Sequence, residues 1–211
     1  MINKYKHISF DLDGTLIHTM PEYRHRVVPV VIKQLGGNIA DEFVIDRFWF
    51  ESGRSEIIKN HFNLNPDKFW ELFHIIDTPE QRSAHTQAYE DAEPTFRKLK
   101  DLGKTISIIT GAPRKIAQIE IKKLNGAPHD FYFSIADSEF SEKPDPSSFH
   151  HTLEQLCLKP EETVYVGNSS EDAYYAKNTG VDFIYLNRKE HKFDLKEYAT
   201  AIIHSLDELF A

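Results

Sequence analysis

Two carboxylates one residue apart, Asp11 and Asp13, follow the apolar run Ile8-Ser9-Phe10 and lead straight into Gly14-Thr15. Side chains two apart on an extended segment point the same way, and a glycine lets the chain turn back where a Cβ would be costly. Carboxylates that converge at such a turn repel one another unless a cation or a shared proton relieves them. The chemistry this suits is a magnesium-assisted attack by one carboxylate while the other shuttles a proton.

Three further segments carry groups that complement this pair. They are Thr110-Gly111-Ala112, Lys143-Pro144-Asp145-Pro146 and Gly167-Asn168-Ser169-Ser170-Glu171-Asp172. Together they supply carboxylates, a hydroxyl beside backbone N–H groups, an amine, and a polar turn at a helix start. That set suits a dianionic phosphoryl group and a hard cation. Each segment also has a plainer reading. Asp11 and Asp13 can be turn formers, Lys143 a solvated loop lysine, and Asp172 a complement to a helix dipole. Thr110 gains weight only from its place in the chain.

The elements that must position these groups follow from periodicity. Residues 6–10 read as a buried strand. From 20 to 88 the apolar spacing is helical, as in Val27, Val28, Val30, Val31 and Leu35, then Phe69, Leu72, Phe73 and Ile76, and no strand signal is convincing. After Glu93-Pro94 the pattern alternates. Strands are expected at 105–109, 131–135, 163–166 and 181–186, with helices at 113–124, 146–156 and 171–178, a weak strand at 201–203, and a short helix capped by Ser205. Short apolar strands alternating with helices predict an α/β fold, a parallel sheet covered on both faces. Ligands bind beyond the carboxyl ends of such strands, which is where the four segments fall. The expected division is 1–16 with 92–211 as the sheet domain and 17–91 as an inserted helical domain.

The 211 residues are 40% hydrophobic and 27% charged, with a formal net charge of −8. That balance argues against a general nucleic-acid binder, which shows a basic face, but not against a small anionic ligand in a local basic pocket. The one cysteine, Cys157, permits no intrachain disulfide and is expected on the apolar face of a helix, as a small buried hydrophobe. Residues 1–5 lack a signal-peptide run and no stretch approaches the ~20 apolar residues of a membrane span, so no membrane partner and a cytoplasmic location are expected.

In their order and spacing, Asp11-Leu12-Asp13-Gly14-Thr15, Thr110, Lys143-Pro144 and the 167–172 turn resemble the haloacid dehalogenase superfamily. The resemblance is to its phosphoglycolate phosphatase and β-phosphoglucomutase-like branch, and it spans nearly the whole chain. It implies a Rossmann-like doubly wound parallel core with an inserted helical cap. It also implies that Asp11 is a nucleophile forming an aspartyl-phosphate and that Asp13 is the general acid/base. Thr110, with Gly111 and Ala112, would grip the phosphoryl oxygens, and Lys143 would neutralise charge on Asp11 and phosphate. Magnesium would bind Asp11 and the main-chain carbonyl of Asp13. Where the family usually has Asp, this chain has Asn168. Three readings stay open: Asn168 as a ligand of weaker affinity, Asp172 as the ligand directly or through water, or a degraded metal site.

The resemblance places the insertion as a cap that closes over the site, with Glu51-Ser52-Gly53-Arg54-Ser55 where relatives carry a substrate-contacting loop. Arg54 could fork onto a carboxylate or phosphate, and His18 stands where many relatives have Asp. Trp49, Phe50 and Trp70 are expected in the helical core, and the histidines form no metal-site spacing. The implied activity is hydrolysis of a small phosphorylated metabolite, and a homodimer is compatible with the sequence. A phosphomutase shares the same phosphoenzyme. A 2-haloacid dehalogenase-type hydrolase is disfavoured by Asp13. A weakly active binding or regulatory protein is favoured only by Asn168.

Overall fold

The computed structural model describes residues 1–51, 53–191 and 196–211. Strand β1 (His7–Phe10) is followed by β2 (Ile17–Thr19) and a run of helices: α1 (Pro21–Gln34), α2 (Glu42–Phe50), α3 (Arg54–Asn60), α4 (Pro66–Ile76) and α5 (Pro79–Ala84). Strand β3 (Thr86–Ala88) ends that run. The alternating part follows as α6 (Ala92–Asp101), β4 (Thr105–Thr110), α7 (Arg114–Lys122), β5 (Phe131–Ser134), α8 (Ser147–Gln155), β6 (Thr163–Gly167), α9 (Ser170–Thr179), β7 (Asp182–Leu186) and β8 (Ala201–Ile203). A short 3-10 turn, Leu206–Phe210, closes the chain, with Ser205 as its cap. The strands β2 and β3, which pair with each other, were not expected. At three residues each they are too short to show an alternating pattern in sequence.

The chain divides into two units, Met1–His18 with Gln87–Ala211, and Thr19–Thr86. The first holds a six-stranded parallel sheet in the order β5-β4-β1-β6-β7-β8. The order reverses at β1, whose Phe10 is level with Ile108 on one side and Val166 on the other. The carboxyl ends of β4, β1 and β6 therefore open side by side at the switch point where such sheets bind ligands.

Strict alternation on the strands builds two cores. Ile8, Phe10, Ile106, Ile108, Val164, Val166, Ile184 and Leu186 face one cluster with Phe96 and Leu99 of α6. Ile109, Tyr165, Phe183 and Tyr185 face the other, with Phe149 of α8 and Ala173, Tyr175 and Ala176 of α9. Burial on both faces explains why these strands read as apolar runs.

Cys157 departs from expectation and is exposed. Helix α8 ends two residues earlier, and Cys157 takes the left-handed backbone conformation (φ 53°) while Leu158 N–H donates back to the Leu153 carbonyl at 2.9 Å. This helix-ending turn carries the side chain out to solvent and leaves Leu153 and Leu158 to pack.

The second unit is helical because its segments start well and share one apolar face. Asp41, Asn65 and Thr78 cap α2, α4 and α5 with their side chains, and Pro21, Pro66 and Pro79 take first-turn positions where a missing N–H costs nothing. Phe48, Phe62, Phe69 and Phe73 pack centre to centre at 5.2–6.0 Å beside Val27, Val31 and Ile58, and Trp49 and Trp70 join from the rim. Buried charge is paired: Arg24 donates to Asp46 (2.7 Å), and Arg82 forks onto Asp77, which also accepts from Tyr23 Oη at 2.6 Å. Among the described residues, no helix is long and apolar enough to cross a membrane.

Candidate active site

Asp11 is the first residue past β1. Its N–H donates to the Val166 carbonyl at 2.9 Å, so the ladder to β6 holds its backbone in register. The turn that follows is tight: Leu16 and Ile17 N–H groups both reach the Leu12 carbonyl, and Gly14 N–H reaches Ile17 at 2.7 Å. Gly14 has φ 78°, a conformation where a side chain would be strained. The carboxylate of Asp11 is thereby buried at the sheet's switch point, while Asp13 is half-buried.

Lys143 is carried on the long connection after β5, yet its ammonium is buried beside Asp11. The Nζ donates to Asp11 Oδ1 at 2.7 Å, Tyr165 Oη at 2.7 Å and Asp172 Oδ1 at 3.0 Å. Burial alone would lower the Lys143 pKa, but Asp11 and Asp172 outweigh it and hold the group charged. The Asp11 carboxyl is pushed upward, first by burial and then by the Asp172 charge, against the pull of Lys143.

Asp172 is built into the start of α9. Ser169 is the cap and its hydroxyl accepts from Asp172 N–H, while Asp172 Oδ2 accepts from the Asn168 and Ser169 N–H groups and from Ser169 Oγ at 2.7 Å. Its other oxygen accepts from Lys143 and Tyr165. Gly167 is what lets this carboxylate fold back. A Cβ on Gly167 would stand 2.6 Å from Asp172 Cβ and Cγ.

Thr110 ends β4, one strand from Asp11, with its side chain buried. Its Oγ1 accepts from Ala112 N–H at 3.0 Å, and Ser134 Oγ holds the Ala112 carbonyl at 2.7 Å. Gly111 is exposed between them, with open space where its Cβ would be. The turn thus brings a hydroxyl to the carboxyl edge, with the Ala112 N–H turned inward onto it.

His18 lies against a carboxylate from outside the motif. Its Nδ1 contacts the Glu190 carboxylate, which also accepts from Tyr89 Oη. Arg188 grips Asp91 with two N–H groups (2.9 and 2.8 Å) and reaches the Thr15 carbonyl at 2.9 Å. Arg54 belongs to the helical unit, where it opens α3 after Gly53 (φ 77°) and donates to the Trp49 carbonyl at 3.4 Å. Ser52, in the same expected loop, lies outside the described residues.

Sequence reasoning brought together Asp11 and Asp172, which both accept from Lys143, with Thr110 at the end of β4 and Asn168 just past β6. It named Ser169 only as part of the 167–172 turn and missed Tyr165, Glu190 and His191, the last of which sits 2.6 Å from the Asn168 carbonyl through Nε2. Tyr165 lay in an apolar strand, where its phenol gave no signal. Ser169 had one, the Ser-x-x-Asp spacing of a capping box.

The donor set at this edge fits a hard cation. Among the described residues no cluster of three or more His, Cys, Asp or Glu side chains could hold a metal. Magnesium asks for less, a few oxygens with water completing the shell. The buried Asn168 side chain has an amide nitrogen with no hydrogen-bond partner. Amide oxygen and nitrogen exchange places by a half turn, so this group can offer an oxygen to a cation.

A profile of the haloacid dehalogenase-like hydrolase family matches residues 8–186. A glyceraldehyde 3-phosphate phosphatase of Pyrococcus furiosus is 30% identical over 234 aligned positions, covering 99% of this chain and 92% of that one. A phosphoglycolate phosphatase of Vibrio cholerae is 27% identical, covering 83% and 81%. Among solved structures, a haloacid dehalogenase-like hydrolase from Bacteroides fragilis shares the fold with a TM-score of 0.84 at 24% identity, covering 98% of this chain and all of the other.

Proposed function

The chain belongs to the haloacid dehalogenase-like hydrolases, and on that premise we propose that it is a magnesium-dependent phosphatase of small phosphomonoesters, acting through an aspartyl-phosphate on Asp11. The observation that carries the reading is the buried Asp11–Lys143–Asp172 contact at the carboxyl end of the central strand. Relatives named as phosphatases support it.

An oxygen of Asp11 attacks phosphorus, and the bond to the leaving oxygen breaks. Asp13 gives its proton to that oxygen, releasing the alcohol. Asp13, now a carboxylate, takes a proton from water as the water oxygen attacks the same phosphorus. The acyl-phosphate P–O bond then breaks, which frees orthophosphate and restores Asp11. Thr110 and the Gly111 and Ala112 amides orient the phosphoryl oxygens throughout. Lys143 offsets charge on Asp11. Such fixed electrostatics supply most of the catalysis in phosphoryl transfer.

Asp11, the Asp13 main-chain carbonyl and the Asn168 amide oxygen would hold the magnesium ion. When bound it supplies charge neutralisation to the phosphoryl group. Asn168 is proposed over Asp172 because both Asp172 oxygens already accept from Lys143, Tyr165, Ser169 and two backbone amides. His18 is proposed to read the leaving group rather than the phosphoryl end.

A panel of phosphate esters assayed with and without magnesium, beside Asp11→Asn, tests the reading. Phosphate release that needs magnesium and disappears in Asp11→Asn supports it. Release that survives the substitution contradicts it.

A further inference from the structure

We propose that Tyr165 is a positioning residue for Lys143, a neutral anchor that keeps the ammonium on Asp11 while the charge of Asp11 changes during turnover. The inference rests on the aspartyl-phosphate reading above and adds to it a residue outside the phosphoryl cradle.

An ammonium has three N–H donors and no acceptor. In Lys143 all of them are assigned, to Asp11, Tyr165 and Asp172. Two of these partners are carboxylates that share the one nitrogen. When Asp11 becomes an acyl phosphate its own negative charge is spent in the new bond, and its pull on the ammonium changes. Asp172 takes no part in that bond, and it is already 3.0 Å away in a buried setting where opposite charges attract strongly. With nothing else to hold it, Nζ would settle towards Asp172 and leave the acyl phosphate uncompensated.

Tyr165 is the partner whose pull does not change. Its side chain is buried, and burial raises the phenol pKa well above its ordinary value, so the oxygen stays neutral through the cycle. The phenol proton points on towards Asp172 Oδ1 (3.2 Å) or the Ile109 carbonyl (3.3 Å), which leaves the oxygen as acceptor to Lys143. The ring itself cannot shift. It packs edge-on against Phe149 and Tyr175, with centroids 5.3 and 5.6 Å away, and Lys143 Nζ sits 5.3 Å from its centre. Tyr175 makes a useful contrast. It lines the same box, but its hydroxyl is hydrogen-bonded with Ser148 Oγ at 2.6 Å.

The test uses the full chain with magnesium and para-nitrophenyl phosphate. Tyr165→Phe is expected to lower kcat by about 10- to 100-fold while KM stays within about twofold, since a hydrogen bond to a charged group is lost but the phosphoryl cradle is intact. Tyr175→Phe is expected to keep kcat within about twofold, whatever it does to the melting temperature. Equal kcat in Tyr165→Phe and wild type overturns the proposal, as does an equal kcat loss in both variants, which would mean packing alone. A second measurement needs no variant. A structure of the wild-type protein with magnesium and beryllium fluoride on Asp11 should keep Lys143 Nζ within hydrogen-bond reach of Tyr165 Oη, and a broken contact there also overturns it. Wild-type protein inert towards every phosphate ester would instead strike the underlying reading.

Discussion

Asp11 and Asn168 carry the sharpest expectations at the level of single residues. Asp11→Asn keeps the shape of the side chain but removes the nucleophilic charge, and phosphate release should fall by about a thousandfold or more, measured as kcat/KM. Asn168→Asp restores a charge next to the proposed cation. The magnesium concentration for half-maximal rate should then drop several-fold, and a titration of rate against magnesium reads it directly. An unaltered curve would set Asn168 aside as a ligand. These residues were legible in the sequence because acids, lysine and threonine at strand ends have few structural reasons to gather. His18 was legible as a neighbour of the motif but not as the partner of Glu190, which lies far away in sequence.

At the scale of elements, the start of α9 joins stability to the site. Gly167→Ala would drive a Cβ into Asp172, at 2.6 Å. It should cost about 1–3 kcal/mol in urea unfolding and lower kcat by displacing the carboxylate that holds Lys143. Ser169→Ala removes the cap and one donor to Asp172, so a loss of about 1 kcal/mol is expected, with a smaller kcat change. The alternating strands and helices were readable because a parallel sheet buried on both faces leaves a distinctive run of apolar residues. Three features were not. The strands β2 and β3 are too short for a period, the end of α8 at Cys157 uses left-handed backbone that cysteine does not announce, and Tyr165 looks in sequence like one more buried aromatic. The first and the last depend on partners far along the chain, which local pattern does not record.

The whole molecule's stability should carry the mark of His7, at the amino end of the central strand and far along the strands from the site. Its ring nitrogens lie 3.1 Å from Thr163 Oγ1 and 2.8 Å from Ser107 Oγ, on the strands to either side. Burial lowers its pKa from 6.5 to about 4. The unfolded chain therefore takes up a proton below pH 6.5 that the folded chain refuses until about pH 4. Folding stability from this group is full above pH 6.5 and falls as the pH drops towards 4, by about 3 kcal/mol in all. Urea denaturation across that range should show the slope, and His7→Gln should flatten it. A change of period between residues 20 and 88 is legible in the sequence. The pairing of Lys143 with both Asp11 and Asp172 came only with the folded sheet, because it closes loops of 132 and 29 residues. The central claim is that Asp11 itself carries the phosphoryl group. Acid-quenching the enzyme during turnover of a good substrate and mapping its peptides by mass spectrometry tests this most directly. One added phosphoryl group on the peptide containing Asp11, absent in Asp11→Asn, is the predicted result. Steady release of orthophosphate with that peptide unmodified, or with the group on another residue, would contradict it.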